Sequence, residues 1–255
     1  MLRVSARPGA RIGQLHQAGS LKALFPASRQ GILNAVFLNT SGGVTGGDRF
    51  QITAKAEEDA ALMVTSQAAE RLYRAQPDET GRVSVSLQVA PGGRLDWLPQ
   101  ETILFDGAQV ARDFRVDLAP DARFLAVEPL VSGRLAMGEL VHSGSLSDSW
   151  RVRKAGKLTF ADNFRLSGDI DAQLARPGVA EGCRALASVL FAAPGAEALL
   201  APLREALGPL GGASLVAEDL LFARILAEDG YMLRRRLIPA LVQLSGQDIP
   251  RTWTL

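Results

Sequence analysis

Residues 82–89, RVSVSLQV, place Val83, Val85, Leu87 and Val89 on one face of an extended segment, the two-residue period of a half-buried strand. Similar text recurs over most of the chain. ILNAVFL (32–38) and ALMVTS (61–66) are short apolar runs, and ETILF (101–105), ARDFRVDL (111–118) and RFLAVEPL (123–130) follow. SWRVRKAGKLTFADNFRL (149–166) reads as a hairpin around Ala155-Gly156. Glycine pairs at 42–43, 46–47 and 92–93 and the Asp106-Gly107 step punctuate these runs, as turns do. Short strands at intervals of roughly 8–12 residues predict a mainly β fold, with a β-rich body over about residues 1–168 and no βαβ units.

Near Asp169 the composition shifts towards alanine and leucine, and a mixed α/β part is expected over about 169–255 of one single domain. ALASVLFA (185–192) fits a strand or a buried helix segment equally well, whereas LLFARILA (220–227) looks like a strand. GAEALLAPLREALGPLGG (195–212) predicts a helix, with Pro194 and Gly195 before it and Gly211-Gly212 behind. EDGYMLRRRLIPALVQLSG (228–246) predicts a second helix, with Leu233, Leu237 and Leu241 on one face. Pro239 is expected to kink or shorten it.

The glycine-rich stretch NTSGGVTGGDRF (39–50) poses a chemical question. A phosphate-binding loop ends in Gly-Lys-Ser/Thr, and a dinucleotide fingerprint opens a long amphipathic helix. Here Asp48 follows Gly47, and the text beyond alternates with Phe50, Ile52, Ala54 and Ala56 in phase, which is strand periodicity. A structural turn is expected, with at least one glycine at positive φ or under a closely passing strand.

Composition narrows the function classes. Of 255 residues, 28 are Lys or Arg and 27 Asp or Glu, and such a balance gives no reason to expect nucleic acid or an anionic membrane as partner. Cys183 is the one cysteine, so no internal disulfide forms. The N-terminus lacks an apolar secretory region, no run approaches the ~20 apolar residues that span a bilayer, and a cytoplasmic location is expected.

Catalytic groupings are scarce. His16 and His142 stand alone, without zinc-ligand spacing. Cys183 lies in the Ala-rich EGCRAL, a setting for burial, and Glu57, Glu58 and Asp59 suit a solvated turn. No enzyme is expected. The polar residues inside strand-like text are more informative: LDWLPQETILFDGA (95–108) holds Asp96, Gln100, Glu101 and Asp106 beside Trp97 and Phe105. Such carboxylates are either strand-end surface groups or the lining of a polar groove. QAAERLYRAQ (67–76) offers Glu70, Arg71 and Arg74, the arginines being available to pair carboxylates internally. Trp97, Trp150 and Trp253, far apart in sequence, suit core packing better than a ligand platform. A small-substrate enzyme or a β-rich ligand-binding module is the alternative.

NTSGGVTGGDRF, QAAERLYR and LPQETILFDGA, in this order and spacing, resemble the urease accessory protein UreD (UreH) family. GRLAMGELVHSGSLSDSWRVRKAGKL (133–158) and the segment from Leu220 to IPRTWTL (249–255) extend the likeness to essentially the whole chain. The motif residues are Ser41, Gly42, Gly43, Gly46, Gly47, Asp48, Gln67, Ala68, Tyr73, Arg74, Pro99, Gln100, Glu101, Asp106 and Gly107. The resemblance implies a non-enzymatic scaffold with a β-helix-like body and a small helical part. It also implies UreF-like and UreG-like partners, docking on apo-urease, and transfer of nickel through a polar passage. No tightly bound cofactor is expected; a transient nickel ion would meet weak oxygen donors, for which Asp48, Glu101 and Asp106 are the candidates. The C-terminal helix, with its leucine face and Arg234, Arg235 and Arg236, is the first choice for the UreF-like contact, the alternative being that the leucines close the chain's own core.

Overall fold

The computed structural model describes residues 1–27 and 31–253; Thr254 and Leu255 of the terminal motif lie outside the described residues. The first half runs β1 (Leu2–Arg7), β2 (Arg11–Gln17), β3 (Leu21–Leu24), β4 (Leu33–Asn39), β5 (Arg49–Ala56), β6 (Ala61–Ser66), β7 (Glu70–Leu72), β8 (Gly81–Val89), β9 (Arg94–Leu98) and β10 (Thr102–Leu104). It continues through β11 (Gln109–Leu118), β12 (Arg123–Ser132), β13 (Gly144–Lys154) and β14 (Lys157–Gly168). Then come α1 (Ile170–Leu174), β15 (Ala185–Ala192), α2 (Leu200–Leu207), β16 (Gly211–Ala217), β17 (Leu220–Ala227) and α3 (Gly230–Ser245).

The strands form two sheets. One has the order β14-β13-β11-β8-β5-β1-β2, the other β16-β17-β15-β12-β9-β6-β4-β3, with β10 beside β12 and β7. From β4 to β13 the chain passes back and forth between them, and successive visits to one sheet lie parallel: β5, β8, β11 and β13 in the first, β4, β6, β9 and β12 in the second. The result is the β-solenoid-like body that the family resemblance implied. Antiparallel hairpins finish its ends. The β13–β14 turn has Ala155 and Gly156 both at positive φ (52° and 78°), as a tight two-residue hairpin requires.

Strand alternation divides the interior. Val85, Leu87, Phe114, Val116, Trp150 and Val152 of the first sheet face Trp97, Phe124 and Ala126 of the second in one core. The opposite face of the second sheet, including Leu98, Leu125 and Val127, packs under α2 and α3 through Leu203, Leu207, Leu233, Leu237 and Leu241. All three tryptophans are buried. Phe37, Trp97, Phe114 and Trp150 form a chain of ring contacts with centroids 5.6, 6.2 and 4.5 Å apart in turn.

Several expectations are corrected. The leucine stripe of α3 closes the chain's own core, with Leu233, Leu237 and Leu241 fully buried, so it offers no docking face. The helix is not shortened by Pro239; it runs from the Asp229 N-cap to the left-handed Gly246. The carbonyl that loses its donor belongs to Arg235, which is exposed like Pro239 and so open to solvent. The expected helix over 195–212 ends at Leu207, before Gly208 at positive φ, and Gly211-Gly212 begin β16 instead. Helix α1 was not anticipated, being only five residues long. No helix among the described residues is long and apolar enough to cross a membrane.

Candidate functional site: a cavity between the sheets

The glycine loop is built as a turn. Gly42 and Gly47 have φ of +83° and +80°. A Cβ on Gly43 would meet the Tyr73 ring and lie 2.6 Å from the Arg71 carbonyl oxygen. That close passage is a short bridge: Val44 N–H donates to Arg71 and Tyr73 N–H to Val44, both at 2.8 Å. Asn39 organises the loop entrance, donating to the Gly43 carbonyl at 2.8 Å and to the Glu70 carboxylate at 3.2 Å, and accepting from Ser41.

Beside this loop a cavity of about 300 Å³ opens between the sheets. Its wall includes exposed Gly42, Gln67, Ala68 and Arg71 at one extreme and buried Trp97 and Glu128 at the other. By liquid volume it has room for on the order of ten waters. Three segments singled out by sequence meet on it: the glycine loop through Asn39 and Gly42, QAAE through 67–70, and LPQET through Pro99, Gln100 and Thr102. The last is braced from the far side. Gln100 donates to the Gln67 and Thr252 carbonyls at 3.1 and 2.8 Å, and Trp253 donates to Leu98 at 2.9 Å.

The expected carboxylates do not line this cavity, and each is held by a different partner. Asp48 caps its own turn, accepting from Thr45 N–H at 2.9 Å. Glu101, 6% exposed, is bound by the Arg234 guanidinium of α3, with one contact at 2.8 Å. Asp106 pairs with Arg74 of QAAERLYR, at the surface rather than internally as expected, and accepts from Ser143 N–H at 2.8 Å. Some desolvation opposes ionisation of Asp106, but Ser143 and Arg74 outweigh it and hold its carboxyl below the usual range. Among the described residues, no three His, Cys, Asp or Glu gather into a group that could hold a metal ion.

The carboxylates that do meet the cavity are Glu70 and Glu128. Burial raises the pKa of Glu70, against the hydrogen bond from Asn39. Glu128, on β12, belongs to an ionic group spanning the two sheets: Arg112 of β11 donates one guanidinium nitrogen to Glu128 and another to Asp148 of β13. Arg112 and Asp148 are direct neighbours in the parallel register. The indole of Trp97 donates to Glu128 at 2.7 Å, and that of Trp150 to Asp148 at 3.2 Å. Burial raises the pKa of Glu128 despite the attraction of Arg112, with Asp148 adding repulsion. For Arg112 burial works the other way, yet the two carboxylates prevail and keep it firmly protonated.

Sequence reasoning missed this trio, although a signal existed. ARDFRVDL puts Arg112 in phase with Phe114, Val116 and Leu118, and SLSDSWRV puts Asp148 in phase with Leu146, Trp150 and Val152. A charge at an inward position of an alternating strand needs a buried partner.

The family model described as UreD urease accessory protein matches residues 1–254. The chain belongs to the UreD family of urease accessory proteins. It is 48% identical over 244 residues to the urease accessory protein UreD of Ruegeria pomeroyi, covering 96% of this chain and 95% of that one. The like-named protein of Mesorhizobium japonicum is 46% identical over 255 residues, covering 98% and 91%. The family resemblance read from the glycine loop, QAAERLYR and LPQETILFDGA is therefore established over the whole chain.

Proposed function

We propose that this protein acts in maturation of the urease nickel centre, as a scaffold that joins UreF-like and UreG-like accessory proteins to apo-urease. Nickel, as cargo, crosses the cavity between the sheets and is passed on rather than stored. The observation that carries this reading is family membership over residues 1–254. The half-open cavity, with Glu70 and Glu128 in its wall, supports the transit role. Oxygen donors without a full His/Cys shell suit weak, reversible contact with a divalent ion. The reading assigns no chemical step to the chain and locates its work in the cytoplasm, where urease is assembled.

The test is co-expression of urease with its other accessory proteins, in the presence and absence of this chain. Urease purified without it is expected to hold little nickel and show little activity, and to recover both when the chain is restored. Equal nickel content in the two preparations would overturn the proposal.

A further inference from the structure

The trio of Arg112, Glu128 and Asp148 carries one positive and two negative formal charges in the interior between the sheets. Glu128 and Asp148 are each 5% exposed. One oxygen of Asp148, Oδ1, is buried and has no hydrogen-bond partner among the described residues. Arg112 Nε is likewise buried and unpartnered among the described residues, so hydrogen bonding is incomplete on both sides, while the two carboxylates carry one more formal charge than the single guanidinium. Arg112 and Glu128 border the cavity, and Asp148 lies behind Arg112, outside its wall. A purely structural ion pair needs neither the surplus carboxylate nor the adjoining volume.

We propose that Arg112 is a tethered counter-cation, occupying between Glu128 and Asp148 the seat that a divalent transition-metal ion takes when it crosses the cavity. This rests on the transit role proposed above. Arriving metal displaces the guanidinium from the two carboxylates and takes oxygen donors from each, with water completing its shell. When the ion leaves, Arg112 returns and the pair is neutralised again to the same extent as before. Nothing is oxidised or reduced, and no covalent bond changes. The competition keeps the site weak: two buried carboxylates facing a free divalent ion would bind it far more tightly, and a conduit would become a trap. Arg112 is in this sense a positioning residue that sets how long the cargo stays.

The test uses the full chain and Ni²⁺ alone as probe. Arg112→Gln removes the competing charge while keeping a polar side chain. Its Ni²⁺ affinity, read by calorimetry and by the metal-dependent rise in melting temperature, is expected to be at least tenfold tighter than the parent's. Quenching of Trp97 and Trp150, whose indoles touch the two carboxylates, reports occupancy directly. The gain is expected to vanish in Arg112→Gln/Glu128→Gln/Asp148→Asn. Should Arg112→Gln fail to fold even with Ni²⁺ present, Arg112→Lys decides; its single ammonium cannot span both carboxylates, and a several-fold gain is expected. Unchanged affinity in the folded single variant, or an equal gain in the triple variant, would mean that Arg112 is a structural ion-pair partner only. Loss of this inference leaves the maturation role standing, because urease nickel content with and without the chain measures that role separately.

Discussion

The second sheet has two faces, and they bury different chemistry. On the helix side, Leu98, Leu125 and Val127 meet Leu237, Leu241 and Leu244 in a mostly aliphatic core that also takes in Phe191 and Trp253. It holds buried charge as well: Asp96, 0% exposed, pairs with Arg94, Arg123 and Arg94 bind the carbonyls of Leu244 and Ser245 at the end of α3, and Arg234 holds Glu101. On the solenoid side, the same sheet meets aromatic rings, a cavity, and an arginine between two carboxylates. A leucine core stabilises by excluding water from close-packed atoms. An internal ion group with a vacant acceptor is a poor means of gaining stability, since desolvation offsets much of the attraction. Unlike the Asp96–Arg94 pair on the other face, this group borders a cavity through Arg112 and Glu128, which fits the proposed passage of a cation.

The largest expected effect breaks the ionic core. Arg112→Met leaves Glu128 and Asp148 buried without their cation, and should lower unfolding free energy by about 3–5 kcal/mol in denaturant titrations. Adding Glu128→Gln and Asp148→Asn should restore most of that loss, because the penalty lies in the unpaired charges. Leu237→Ala, in the leucine core, should cost about 2–5 kcal/mol through lost burial and a residual void. No second polar change should rescue it, and that contrast separates the two faces.

A smaller effect is expected in the glycine loop. Gly43→Ala forces a methyl group against the Tyr73 ring and the Arg71 carbonyl, and should cost about 1–3 kcal/mol by overpacking. Its thermal melt should fall accordingly, whereas Gly42→Ala meets open space and is opposed only by its positive φ.

The smallest effect is one of pH. Glu139 accepts from Arg134, which holds its carboxyl below the ordinary value and pins the loop between β12 and β13. For an acid with a lowered folded-state pKa, the stabilisation is present above the unfolded-state value and lost as pH falls through the folded one. Amide exchange over residues 134–141, corrected for intrinsic rates, should therefore lose protection only on acidification. Glu139→Gln should show the same loosening at neutral pH.

Much of this fold was legible because strand alternation is a local signal. The face of Val83, Val85, Leu87 and Val89 does point into the solenoid core, and the hairpin at Ala155-Gly156 is present. Whether 185–192 was strand or helix was not legible, since a run buried on both faces has no period; pairing with β12 and β17 decides it. The glycine loop could be recognised as a turn, but the passage of Tyr73 over Gly43 depends on a long-range contact. The site was half visible. Its motifs converge on the cavity, yet Glu101 and Asp106 are held by Arg234 and Arg74, partners set by tertiary packing. Likewise, the four-residue spacing of Leu233, Leu237 and Leu241 identifies a buried face without saying whose core it enters.

In the proposed role, the cavity-bearing face of the second sheet is the working one. It is tested most directly by the nickel content of urease matured with a cavity variant, Glu70→Gln/Glu128→Gln, that remains folded and still co-purifies with its partners. Both substitutions keep side-chain shape and remove a carboxylate from the cavity wall. The account predicts assembled complexes that deliver distinctly less nickel to urease than the parent chain does. Full nickel loading by that variant, with the complex intact, would contradict it.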